Sequence, residues 1–474
     1  MDEIKLSDDV LEQIKDFKYW RLTEEQESLI DKLIKDEELK EHYKKHGLCK
    51  NCDHLNINFE LCNYCSFKPN FKNWTSGNHD VDEFIRKAQL NAKNNHQVIE
   101  WIEYDNFKDV EYLAKGRFGT TFKAVWKDGF ILYWDNDNNQ LVREGETKVA
   151  LKFLHNSQDI TTDFLKEVKS NILACEISNG FVVRCFGITK DPKTNNFIMV
   201  MELKNGNLRQ HLNNNFISLS WDRKLQNLLG TISGLKDIHN EGLIHHDFDC
   251  RNILSDFNDL TFITGFGLCQ QANVKSSQNS DKKIYGVLPY VAPEVLRGKE
   301  YTQASDIYGF GIIAHEICIG FPPYHDIAHD EFLAIKICKG LRPKSNYKIP
   351  QLIFDVINQC WDADPLKRPD ADELFRLISK LSYHAVDKDS VIYKQIKEAD
   401  EINNKSSFST VQSSSSSTSI LSYMTHPQAV YTSKLLDFKN LPEPKNADND
   451  DLEYSDSLRM DFTKLDINYK DGRN

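Results

Sequence analysis

The most constraining feature of this chain is a series of short landmarks that follow one another in fixed order between Leu113 and Arg368. In LAKGRFGTTFKAVW, Leu113 to Trp126, glycines with small neighbours would let a strand–turn–strand lie close over phosphates. A short strand, Val149-Ala150-Leu151-Lys152, then ends in a lysine, and the helical segment Phe164-Leu165-Lys166-Glu167 presents a carboxylate able to pair with it. IHHDFDCRNIL, Ile244 to Leu254, offers Asp247 and Asn252 on one loop. LTFITGFGLCQ follows, then LPYVAPEVL, then SDIYGFG with Asp306 before an apolar helix, then CWDADPLKRP with Arg368. A glycine pattern alone is weak evidence; the weight lies in the whole series, which falls within residues 107–382.

These residues are similar to the eukaryotic protein kinase family. The resemblance implies an α+β, two-lobed fold, with a small β-rich lobe over 107–203 and a larger helical lobe over 204–382. ATP would lie between them. Leu113, Gly116, Gly119, Thr121 and Ala150 would enclose the nucleotide, Lys152 would bind its phosphates, and Glu167 would hold Lys152. Met201 would be the gatekeeper, with Glu202 and Leu203 as the hinge. Asp247 would accept the substrate hydroxyl proton and Asn252 would bind one Mg²⁺. Glu294 and Arg368 would form a structural ion pair, and Asp306 would brace the loop of Asp247. By family the γ-phosphate of ATP would pass to protein Ser/Thr or Tyr hydroxyls, so the expected partners are protein substrates or signalling proteins. The paired cysteines, the NWTSGN linker and the TSKLLDFKNLPEPKNADN tail also resemble a lineage-expanded fungal group with tyrosine-kinase-like domains, in which a zinc ribbon precedes the kinase.

The departures from the family pattern gather where chemistry would occur. Gly265 stands in Gly265-Phe266-Gly267, where the family has the aspartate that bridges magnesium to the β- and γ-phosphates. Magnesium prefers hard oxygen ligands and glycine has none to give, so Mg²⁺ binding and catalysis are expected to be impaired. Ala114 replaces the first glycine of the phosphate loop, and His246 replaces the arginine of the His-Arg-Asp motif. Asp249 and Val287 stand where serine/threonine kinases place Lys and Thr, whereas Arg251 resembles the tyrosine-kinase arrangement. Asp256 and Asp259 are expected away from the phosphates, and Asp249 is expected to face substrate. Two readings follow: a protein kinase with weakened transfer, and a catalytically inactive pseudokinase acting as a scaffold or allosteric binding module.

The flanks carry their own signals. HGLCKNCDHLNINFELCNYCS, residues 46–66, spaces Cys49, Cys52, Cys62 and Cys65 as two Cys-x2-Cys pairs, which suits closed tetrahedral Zn²⁺ of a structural kind. His46 and His54 are left outside that set. Residues 1–45 read as helical: Thr23 to Gln26 form a capping box, and Gly47 is the stop. Residues 67–106 read as a linker whose short helix starts at Asp80 or Asp82. Residues 383–474, with SSFSTVQSSSSSTS and NADNDDLEYSDS, read as a low-complexity, disordered tail. A formal net charge of −12 gives no reason to expect nucleic acid as a partner. No apolar run approaches a membrane span. MDEIKLSDDV lacks the apolar centre of a signal peptide, and eleven cysteines, seven of them scattered, suit a reducing compartment, cytoplasm or nucleus.

Overall fold

The computed structural model describes residues 6–49, 52–56, 62, 65, 67, 71–92, 95–116, 119–135, 138, 140–154, 162–175, 180–256, 260–272, 284–410 and 423–446. Three helices, Asp8–Ile14, Glu24–Leu33 and Glu37–His46, open the chain. The capping box forms: the Thr23 hydroxyl accepts the Gln26 amide and the Gln26 side chain accepts the Thr23 amide. Asp36 caps a fresh helix after Ile34, so two helices lie between Thr23 and Gly47, and Gly47 (φ +66°) ends the second. Leu11, Ile14, Ile30, Ile34 and Tyr43 bury together, with Leu48 and Leu55 of the cysteine-rich turn packed against them. The helical segment and the first cysteine pair therefore share one small core.

Residues 71–106 are more than a spacer. The helix His79–Asn91 is capped by Asn78, whose side chain accepts the Asp80 and Val81 amides at 2.9 and 3.2 Å. This corrects the expected start at Asp80 or Asp82. Asp82 points inward instead and accepts from the Thr75 and Ser76 hydroxyls, each at 2.6 Å. Val81, Ile85 and Ala88 of this helix bury in the same cluster as Phe164, Val168 and Ile172 of the helix Thr162–Ala174.

The small lobe is built on strands β1 (Glu100–Trp101), β2 (Phe107–Lys115), β3 (Gly119–Trp126), β6 (Thr147–Leu154), β7 (Cys185–Lys190) and β8 (Phe197–Glu202). Their order is β1-β7-β8-β6-β3-β2. All pairings are antiparallel except β1 on β7, which extends the sheet with residues from before the lobe. A separate hairpin, β4 (Ile131–Asp135) with β5 (Gln140–Arg143), lies between β3 and β6 in the chain. Val149, Leu151, Ile198 and Val200 are fully buried beneath the sheet, as alternating apolar residues on one face require.

The large lobe packs the helices Trp221–Asn240, Gln303–Ile319, Gln351–Cys360 and Ala371–His384 around one apolar core. Short strands carry the loops above it: β9 (Leu243–Ile244), β10 (Ile253–Ser255), β11 (Thr261–Ile263), β12 (Gln270–Gln271) and β13 (Ile284–Gly286). No helix among the described residues is long and apolar enough to cross a membrane.

Beyond residue 382 the expectation of disorder needs correction over two stretches. The helix Val391–Thr410 buries Ile392, Ile396 and Ala399 in the large-lobe core, and Asn403 accepts the Lys348 amide at 2.7 Å. Residues 423–446 lie along the lobe and contribute β14 (Lys434–Leu436), which pairs antiparallel with β13. The serine run and the acidic end of the tail, residues 411–422 and 447–474, fall outside the described residues.

Candidate active site

The register of the small lobe sets the upper half of the site. Lys152 in β6 stands between Thr121 of β3 and Met199 of β8, and Ala150 stands opposite Met201. The helix Thr162–Ala174 buries Phe164 and Val168, which turns Glu167 toward the sheet, where it forms an ion pair with Lys152 Nζ. The glycine turn closes through Gly116 N–H donating to Gly119 O at 2.8 Å, while Leu113 remains largely exposed. Met201 is buried at the end of β8; the Glu202 amide donates to Arg184 O at 2.9 Å, and Lys204 Nζ meets Glu202 at 2.7 Å, just beyond Leu203.

The lower half hangs on Asp306. Its two oxygens accept the backbone amides of His245 (2.8 Å) and His246 (3.1 Å), and His239 Nε2 lies 3.1 Å away. Burial works against the Asp306 charge, yet the His239 contact and the amides overcome it and hold its pKa below the ordinary carboxylate value. His246 has φ +71° and stacks on Tyr301 with ring centroids 4.3 Å apart. Burial lowers its pKa to about 4, so it stays neutral and gives no cation to an anionic loop. The Tyr301 hydroxyl donates to Tyr285 O of β13 at 2.6 Å. Tyr301 thus links the Asp247 loop to β13; it was not singled out from the sequence, since a lone tyrosine outside any motif carries no signal.

Asp249 does not face substrate. It is buried, and Arg251 grips it through Nε–Oδ1 (2.9 Å) and Nη2–Oδ2 (2.5 Å). Burial raises its pKa while Arg251 opposes the rise. Asp256 accepts the Leu260 amide at 2.9 Å and so closes its own turn; Asp259 lies outside the described residues. In the large lobe Glu294 and Arg368 form a buried bidentate pair at 2.7 and 2.8 Å, and Arg368 also donates to Ala304 O and Asp362 O.

Asp247 and Asn252 meet as expected, but they are engaged with each other. Asn252 Nδ2 donates to Asp247 O at 2.7 Å and lies 3.3 Å from Asp247 Oδ2, while Asp247 Oδ1 is buried with no hydrogen-bond partner. Beside them Gly265 adopts φ +92°, ψ 42°, a left-handed conformation that glycine takes without strain. A Cβ at Gly265 would stand 2.5 Å from Asn252 Oδ1 and 2.6 Å from its Cγ. The Asn252 amide therefore lies against the space a side chain at 265 would need.

The residues present fit three ligands unequally. The glycine turn and the held Lys152 fit a nucleotide triphosphate. The donor set meets the family's magnesium arrangement only in part: position 265 offers no oxygen, whereas Asn252, whose Nδ2 donates to Asp247 O, keeps Oδ1 as an acceptor. The cysteine cluster does fit zinc: its four sulfurs all lie within 4.8 Å of one another, with approaches of 3.3, 3.4 and 3.7 Å. Tetrahedral Zn–S bonds of about 2.3 Å require S···S separations of roughly 3.8 Å. The turn is pre-shaped: Asp53 takes φ +56°, its amide donates to Cys49 O, and the Cys49 amide donates to His54 O. The His54 ring lies on Cys52 O at 2.8 Å, outside the sulfur set.

A β-rich lobe with a lysine–glutamate pair, set over a helical lobe whose braced loop carries Asp247 and Asn252, is the frame of a protein kinase. Residues 107–378 match the family model for protein tyrosine and serine/threonine kinases, and the chain belongs to that family. It is similar to a probable serine/threonine-protein kinase of Dictyostelium discoideum, 26% identical over 281 residues, which covers 59% of this chain and 28% of that protein. Another probable serine/threonine-protein kinase of that organism, roco5, is 30% identical over 287 residues, covering 56% of this chain and 9% of its own length. A protein kinase and PP2C-like domain-containing protein of Arabidopsis thaliana is 27% identical over 247 residues, with 45% of this chain and 37% of that protein covered. The chain thus spans well under two thirds of these relatives.

Proposed function

We propose that this chain is a signalling protein on a protein kinase frame that binds ATP and transfers its γ-phosphate to protein hydroxyls poorly or not at all. One observation carries this reading: Gly265 lacks the metal-binding carboxylate, and Asn252 leans on the place where its Cβ would stand. The phosphate-facing half, Lys152 with Glu167, is intact. Phosphoryl transfer depends on positioning and charge neutralisation, so the missing ligand falls on the term that matters most. Asp247 keeps a buried, unpartnered Oδ1 suited to accept a hydroxyl proton, which supports residual activity over none.

We read the chain further as a tyrosine-kinase-like member of the fungal zinc-ribbon group, with one structural Zn²⁺ on Cys49, Cys52, Cys62 and Cys65, working in the cytoplasm or nucleus. Arg251 resembles the tyrosine-kinase arrangement and the spacing from Gly286 to Glu294 the serine/threonine one, which leaves both Ser/Thr and Tyr as acceptors. The alternative, a pseudokinase that acts only by presenting a surface, draws on the same Gly265 and on His246 and Asp249 being turned inward. A quantitative Mg-ATP phosphotransfer assay on a mixed protein substrate, with Asp247→Asn as the blank, separates the two. Transfer above the blank supports the first reading, and none supports the second. Thermal shift with ATP, with and without Mg²⁺, tests nucleotide binding separately; a stabilisation that strictly requires Mg²⁺ would count against the weakened metal site.

A further inference from the structure

We infer that residues 423–446 are an intramolecular strap that occupies a docking edge for extended peptides, so that a peptide partner must displace the chain's own tail. This rests on the kinase-frame reading only in so far as a peptide is to be brought to Asp247. Strand β13 has one strand partner among the described residues, and that partner is β14. The register is Gly286 opposite Lys434, Tyr285 opposite Leu435 and Ile284 opposite Leu436. A peptide adding to the β13 edge that β14 covers would meet the tail there, and main-chain pairing would supply affinity and alternate side-chain pockets selectivity. That edge lies close to the reacting groups: Tyr285 O accepts from the Tyr301 hydroxyl, and Tyr301 stacks on His246, next to Asp247.

The strap is built in, and its anchors alternate in chemistry along its length. Upstream of β14, Tyr431 OH donates to Pro323 O at 2.8 Å, and the Val430 amide lies 3.1 Å from His329 Nδ1. Within and after β14, Leu436 and Leu441 are buried in the large-lobe core. Arg297 holds the far end through Glu443 Oε2 at 2.6 Å and Leu441 O at 3.3 Å. The incoming partner is accordingly an extended peptide with apolar residues spaced as Leu436 and Leu441 and an acidic residue two positions beyond the second.

The test uses the full-length chain and a fluorescent peptide copying Val430–Pro444. In the wild type, hydrogen exchange should show the amides of 284–286 and 434–436 protected together; independent, fast exchange of 434–436 would overturn the proposal. Leu436→Asp with Leu441→Asp should release the strap, speed exchange at 284–286 and tighten binding of the peptide at least tenfold over wild type. Arg297→Ala, which leaves the core untouched, should do the same to a smaller degree and guards against misfolding of the double variant. Equal peptide binding by wild type and both variants would overturn the proposal. Because no readout is phosphotransfer, an inactive enzyme leaves this result standing, and an active one with an unprotected β13 refutes the strap alone.

Discussion

Replacing Gly265 by Asp tests whether one missing carboxylate explains the site. The new Cβ would stand 2.5 Å from Asn252 Oδ1, so Asn252 must swing away and release its 2.7 Å bond to Asp247 O. A non-glycine residue in the left-handed region costs about 1–2 kcal/mol, and the lost hydrogen bond about 1 kcal/mol more. The variant should therefore melt roughly 5–10 °C below wild type in the absence of ligand, at about 2–4 °C per kcal/mol for a domain of this size. Against that stands the gain in transfer. An electrostatic group at a reacting centre is worth roughly 3–4 kcal/mol, which is at least about a hundredfold in rate at 1.36 kcal/mol per decade. Quantitative radiolabel transfer from Mg-ATP, alongside melting curves with and without Mg-ATP, reads both effects. Gly265→Ala is the control, with the same Cβ and no oxygen: it should melt low and gain no rate. Gly265→Asp with Asp247→Asn should lose the gain. Three results would refute the reasoning. Wild-type transfer at about 1–100 s⁻¹ would mean that another group replaces the aspartate. A folded Gly265→Asp with no gain would shift the defect to His246, Asp249 and Val287. An unchanged melting temperature would contradict the Asn252 contact.

Other outcomes follow from the same structure. Metal analysis of purified protein should find about one zinc per chain, lowered by Cys49→Ser with Cys62→Ser; metal-free wild type with its first three helices intact would sink the site. Arg368→Ala should lower stability by about 3–5 kcal/mol in urea unfolding, because Glu294 would be left buried and unpaired, and a loss under about 1 kcal/mol would mean that water reaches the pair. His246 should make stability depend on acid: its folded pKa of about 4 lies below the ordinary value of 6.5, so the unfolded chain binds the extra proton. Its contribution is therefore full above about pH 6.5 and is lost as pH falls toward about 4. His246→Phe, which keeps a ring on Tyr301, should flatten the melting-temperature profile in that window, and an unchanged profile would show that His246 is not held neutral.

The parts of the site legible in the sequence are those where chemistry demands one residue type at a fixed place along the chain. Lys152, Glu167, Asp247, Asn252, Glu294, Asp306 and Arg368 are of this kind, and so are the four cysteines, whose sulfurs converge as their spacing suggested. What stayed hidden depends on which way a side chain turns once its neighbours are in place. Asp249 turns inward because Arg251, two residues on, offers it a fork-shaped partner in a buried place. Asn252 leans on Gly265 because glycine leaves room there. Asn78 takes the helix start because Asp82 is drawn to the Thr75 and Ser76 hydroxyls. The tail misleads for a different reason. Leu436 and Leu441 follow neither the helical nor the strand period, and their partners, β13 and Arg297, lie far away in the chain, so composition alone reads the segment as unable to bury surface. A short apolar segment in a polar surround can still dock by pairing with a strand edge, as β14 does with β13. The same edge explains why this part of the tail is ordered and why a peptide partner would have to compete for it.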